Sequence, residues 1–198
     1  MSEAALAVAK LGRKPRQPHV SKAQSRSKIL EAARHVAARD GARELSLRAV
    51  AAEAGFAPAA LYGYFRSKDE LLLALAADDL THLARSMREA GGLKAAATRA
   101  LALLGDTETM AAVSQALPRQ GGSGDAERLF NGRMIAALRA LSEVSGLPSD
   151  NRQNQCDVVL VAAALTGLAL LQRSGRLGAL GFQPGEILAR LESRFAHS

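Results

Sequence analysis

The side chains in this chain best able to engage a partner are cations, and they are unevenly placed. Residues 1–28 carry Lys10, Arg13, Lys14, Arg16, Lys22, Arg26 and Lys28 against Glu3 alone, a net +6. The whole 198-residue chain is +7, so residues 29–198 sum to only +1. A concentrated basic arm suits a polyanion, either nucleic acid or an anionic membrane surface. Gly12, Pro15 and Pro18 interrupt any helical apolar period there, which argues against an amphipathic membrane helix. A tail that merely solubilises the protein is the plain alternative. Other reactive groups are sparse. His19, His35, His82 and His197 show no metal-ligand spacing, so no metal is expected. Cys156 stands alone, which excludes a disulfide framework and a cysteine-based zinc site, and it reads as a buried structural cysteine. There is no Ser-His-Asp context, P-loop or GxGxxG, so neither an enzyme nor a cofactor is expected. With no tryptophan and 4% aromatics, a stacking platform for single strands is also disfavoured.

The elements that must position these cations are helices. Forty-one alanines stand against seventeen valines, isoleucines and threonines combined, which favours helix over sheet. Ile29, Ala33, Val36 and Ala37 recur at helical spacing and Gly41 follows as a stop. Ser46 caps a short second helix closed by Gly55, where the turn needs a positive φ. A third helix, near 58–65, opens with Pro58. Ser67 and Glu70 form a capping box at the head of a long helix over 68–90. Further helices are placed near 93–104, 107–117, 125–145, 150–174 and 185–196, with glycine and proline punctuation between them. The expected fold is all-α with about nine helices. A three-helix helix-turn-helix head is followed by a six-helix domain.

The run Leu61-Tyr62-Gly63-Tyr64-Phe65-Arg66-Ser67-Lys68-Asp69-Glu70-Leu71, with Ile29-Leu30-Glu31-Ala32-Ala33 and Gly41 upstream, resembles the TetR family of bacterial transcriptional regulators. The close match covers about residues 26–72, and the later helices agree in number and approximate length. The resemblance implies phosphate contacts for Ser46 and Lys68 and a base contact for Arg48. It puts Ala57, Pro58, Ala59, Ala60, Tyr62, Gly63 and Tyr64 on the helix surface that enters the major groove. An arginine can bond guanine through two donors, and a lysine at a helix start adds charge where amides already attract phosphate. This chain departs from the family where polar readers are common. Ala57 to Ala60 offer no side-chain hydrogen bond, and contact with thymine methyls is what remains. Ala37 replaces a phenylalanine usual in the first helix, so Leu45 and Phe56 are expected to fill the head's core. Arg13, Lys14 and Arg16 are compact and basic, like segments that lie in a narrow A·T minor groove.

The resemblance divides the chain into a flexible basic arm (1–23), a DNA-binding head (24–67) and a regulatory domain (68–198). It implies a homodimer, with Ala163, Gly167, Leu171, Ile187, Leu188, Leu191 and Phe195 as interface candidates. Two-fold pairing also has an independent motive, because one small head reads few base pairs and a palindromic operator supplies the rest. Candidates for a pocket holding a small lipophilic ligand are His82, Met87, Met110, Phe130, Met134 and Leu138, with plain core packing as the alternative. The patch from Ala4 to Ala9 is too short for a signal-peptide core. The run from Val158 to Leu171 has 14 residues, short of the roughly 20 that span a bilayer. A cytoplasmic protein, nucleoid-associated when on DNA and with no membrane partner, is therefore expected. The reading is a ligand-responsive repressor. Two alternatives are a DNA-binding protein whose large domain binds another protein and an arm-driven, non-specific DNA binder.

Overall fold

The structure is a computed structural model that describes residues 21–106, 124–148 and 150–195. Among these residues lie nine helices and no strand. They are α1 (Lys22–Asp40), α2 (Leu47–Ala54), α3 (Pro58–Leu61), α4 (Lys68–Arg88), α5 (Leu93–Asp106), α6 (Asp125–Ser145), α7 (Arg152–Arg173), α8 (Arg176–Ala179) and α9 (Pro184–Phe195). The helix expected over 107–117, Met110 and the arm residues Arg13, Lys14 and Arg16 lie outside the described residues.

Helix α1 starts at Lys22 and so takes in Lys22, Arg26 and Lys28, three cations counted with the arm. Its start is chemical: Ser21 Oγ accepts from the Gln24 amide at 3.1 Å, while the Ser21 amide donates to Gln24 Oε1 at 2.9 Å. Two donors that a helix end leaves open are thereby satisfied. The face carrying Ile29, Ala33, Val36 and Ala37 is buried, as the spacing predicts. Ser46 caps α2 through the Ala49 amide at 3.2 Å, and Gly55 ends it at φ +72°. Only glycine adopts that φ without a Cβ penalty.

Helix α3 is shorter than expected. It spans four residues, and the chain then tightens through bonds from the Gly63 amide to Ala60 O and the Tyr64 amide to Leu61 O. Leu45, Val50, Ala51, Leu61 and Phe65 close the head's core, with Ala51 fully buried where α2 crosses α1. Phe56 is only partly buried and lies edge-on to Tyr64, ring centroids 6.2 Å apart. Leu45 thus fills the expected place and Phe56 sits at its margin.

Helix α4 joins head and body. Its residues Leu71 to Ala77 are buried without interruption, because the helix packs on α1 on one side and on α5 and α6 on others. A helix covered on all sides is apolar all round. Helix α7 packs on α5, α6, α8 and α9, and α9 closes the body against α5 and α7. The segment from Gly175 to Pro184, expected as a turn, contains the short α8, which buries Leu177. In α9 the apolar stripe faces inward. Leu188, an interface candidate, is buried within its own protomer, and Ile187, Leu191 and Phe195 pack against the same core.

Candidate nucleic-acid interface

The tight turn at Gly55 sets α2 and the short α3 against each other, with Leu61 as the buried anchor of α3. That anchoring leaves Ala57, Pro58, Ala59 and Ala60 all exposed, with Tyr62 at 59% and Gly63 beside them. Arg48 projects from the first turn of α2 and is exposed. Tyr64 is half-buried against Phe56, so its ring supports the turn more than it lines the surface.

Lys68 opens α4, where Ser67 Oγ accepts from the Glu70 amide at 3.1 Å. Glu70 reaches one residue further back than a standard capping box, accepting from the Arg66 amide at 2.7 Å. The Lys68 ammonium donates to the Arg43 carbonyl, tying α4 to the loop between α1 and α2. An ammonium has three donors, so this bond leaves it capacity for a phosphate oxygen. Two further cations of the head, within its expected bounds but not among its expected contact residues, border the turn. Arg26 lies over the Phe65 ring at 5.2 Å and Lys28 over the Phe56 ring at 5.8 Å. Both follow the Ser21–Gln24 capping box that starts α1.

Above this surface, Arg34 of α1 clamps two carboxylates of α4. Its Nε and Nη2 donate to Asp79 Oδ1 at 3.0 and 2.9 Å, and Nη2 also reaches Asp78 Oδ2 at 2.5 Å. Burial lowers the Arg34 pKa, but the bonds to Asp78 and Asp79 more than offset it and the net direction is upward. Burial pushes the Asp79 carboxyl above its ordinary range, against the pull of Arg34. The physical reason is its other oxygen: Asp79 Oδ2 is buried with no hydrogen-bond partner among the described residues. His82 Nε2 lies 3.6 Å from Asp78 Oδ2.

The pocket candidates are dispersed. Met87 and Phe130 are core residues, Met134 packs against the core, and His82 is solvent-facing over a shallow surface hollow between α4 and α5. Leu138 alone of the described candidates lines a larger groove, of about 670 Å³, between α6 and α7. Its walls include Ile135, Val159 and Leu160, with Arg139 and Arg152 also lining it. Cys156 lines it too and is exposed, which corrects its reading as buried.

Helix α7 is apolar on two opposite faces. Val158, Val161, Leu165, Leu168 and Ala169 face the core. Val159, Leu160, Ala163, Leu170 and Leu171 are exposed on the other side, with Gly167 partly covered between them. By length and composition this helix is the one described helix able to cross a membrane. Its first six residues, Arg152 to Asp157, are polar apart from Cys156, however. The remaining apolar run rises about 21 Å, short of the roughly 30 Å hydrocarbon core.

Residues 29–75, which hold α1 from its first core residue through the start of α4, match the bacterial regulatory proteins of the tetR family. Over these residues the chain is similar to the TetR family. Over 68 residues it is 41% identical to the HTH-type nicotine-responsive transcriptional repressor HdnoR of Paenarthrobacter nicotinovorans, covering 34% of this chain. That stretch spans about a third (35%) of the curated relative it matches. Most of the chain shares its fold with solved regulator structures. A TetR transcriptional regulator from Rhodococcus sp. RHA1 superposes with TM-score 0.69 at 18% identity, covering 90% of this chain and 99% of that one. The transcriptional regulator FadR from Bacillus subtilis, in complex with stearoyl-CoA, gives 0.56 at 16% identity, covering 86% and 97%.

Proposed function

We propose that the protein is a TetR-type transcriptional repressor that binds a palindromic operator as a homodimer and is released by a small lipophilic effector. The observation that carries DNA binding is the exposed surface of α2, α3 and the start of α4. Ser46 and Arg48 open α2, Lys68 opens α4, and between them in the chain the small side chains of Ala57 to Ala60 are all exposed. Phosphate contacts from Ser46 and Lys68 fix the register, and Arg48 reads a base edge. Arg13, Lys14 and Arg16 strap the adjacent minor groove. Pairing is supported by the exposed apolar side chains on the outer face of α7, with Leu180 and Phe182 also exposed. Ala163, Gly167 and Leu171 belong to that face.

The effector reading rests on the apolar groove between α6 and α7 and on a fold shared with a regulator that holds stearoyl-CoA. An effector acts by favouring a dimer whose heads no longer match successive major grooves, and α4 is the lever that joins Lys68 to the body. The protein works in the cytoplasm and is held at the nucleoid while on DNA.

The test is selection of random duplex DNA on the purified protein at near-physiological salt. Recovery of a palindromic motif with half-sites about one helical turn apart supports the dimeric repressor. Retention without any motif overturns it in favour of arm-driven binding. A recovered motif with no ligand-induced shift in melting temperature points instead to a DNA-binding protein whose large domain binds another protein.

Within the head, the two cations are expected to behave differently. Arg48→Ala relaxes preference at one base position, whereas Lys68→Ala weakens all sequences about equally and lowers the salt slope by about one. Binding titrations on the selected duplex and on a scrambled one, each at several salt concentrations, check this. Equal behaviour of the two variants would mean the roles are misassigned.

A further inference from the structure

The recognition surface is unusual in its chemistry. Four consecutive exposed residues, Ala57, Pro58, Ala59 and Ala60, carry no side-chain donor or acceptor, and Ala57 makes no capping bond of its own. Leu61 directly after them is fully buried and fixes which way α3 turns. Gly63 continues the surface, and a Cβ there would lie in tight contact, 3.2 Å from the Ala60 carbonyl oxygen. Around this patch, base-reading hydrogen bonds are left to Arg48 and the Tyr62 hydroxyl.

Resting on the DNA-binding reading above, the geometry points to thymine C5-methyl groups as what Ala57 to Ala60 read in each half-site. In the major groove only thymine presents an apolar group, while every other base-edge feature is a donor or acceptor. A polar edge pressed against alanine or proline loses its water and gains nothing in return, whereas a methyl placed there removes apolar surface from water. The small side chains serve the same end. They let the α3 backbone approach the base edges closely, so that an alanine methyl and a thymine methyl come within contact distance of about 4 Å. Specificity is then divided. Arg48 supplies the hydrogen-bonded position, and the α3 tip supplies one or more thymine positions.

The experiment uses the full-length protein and the duplex recovered by selection. Each half-site thymine is replaced in turn by deoxyuridine, which keeps every hydrogen bond and removes only the methyl. The expected result is a loss of about three- to fivefold in affinity per methyl at one or more half-site positions. The same replacement in the flanks leaves affinity unchanged. Ala59→Gly and Ala60→Gly are then measured on both duplexes. At least one of them is expected to bring the thymine-to-uracil ratio close to one. The ratio is unaffected by any loss of folded protein, because both duplexes report on the same active fraction. Equal affinity for a fully uracil-substituted duplex overturns the inference while leaving DNA binding intact, and so does a ratio that both glycine variants preserve. Recovery of no motif at all overturns the operator-binding reading and this inference together.

Discussion

Leu160→Lys is expected to convert a dimer into a monomer while leaving the protomer as stable as before. Leu160 is 58% exposed on the outer face of α7, and Leu170 on the same face is 65% exposed. In the lone protomer a lysine there costs little, within about 0.5 kcal/mol, because the side chain fills no core position. In a two-fold interface the substitution occurs twice. Each copy forfeits roughly 1.5–3 kcal/mol of apolar burial and brings a cation into an apolar contact. The dissociation constant of the dimer should therefore rise by at least about a hundredfold, and operator affinity should fall with it. Sedimentation of the variant checks the assembly, and its thermal midpoint checks the protomer. Leu170→Lys serves as the second variant. If both remained dimeric with unchanged DNA affinity, α7 would not be the pairing surface.

The second large effect concerns the clamp between head and body. Arg34→Met leaves two adjacent carboxylates without their cation, and the Asp79 side chain is only 14% exposed. Exposed ion pairs contribute about 0.2–1 kcal/mol and breaking fully buried ones costs about 3–5. With Arg34 at 33% exposure, a loss of about 2 kcal/mol is expected, seen as a thermal midpoint lower by about 4–8 °C. Asp79→Asn should cost clearly less, because Oδ2 already lacks a partner and burial works against the charge.

The pH dependence follows from the direction of that shift. A carboxyl whose folded pKa is raised stabilises the fold fully below its unfolded value, 3.8, and loses that contribution as pH rises through the folded value. Relative to the Asn variant, wild type should thus gain stability as pH falls from neutral toward 3.8. Urea unfolding at a series of pH values measures this. A larger loss from Asp79→Asn than from Arg34→Met at neutral pH would contradict the account.

The head was legible because its signals are local. Ser46 and Ser67 cap through amides three residues ahead, and Gly55 takes the positive φ that its turn demands. The periodicity of Ile29, Ala33, Val36 and Ala37 names a buried face without any knowledge of what covers it. For α9 the same reasoning stopped short. The stripe of Ile187, Leu188, Leu191 and Phe195 shows that one side is covered, but α9 packs on α5 and α7 of the same protomer with only Leu188 fully buried.

Sequence by itself determined the helical class, the helix-turn-helix head, its caps and the localised positive charge. Each of these depends on residues within a few positions of one another. Tertiary structure alone decided that Arg34 meets Asp78 and Asp79 across more than forty residues. It also decided that α7 keeps a second apolar face exposed, and that Cys156 stands at an open groove. The reason is that periodicity reports how apolar a face is, whereas the choice between core, groove and interface depends on which distant helix packs against it.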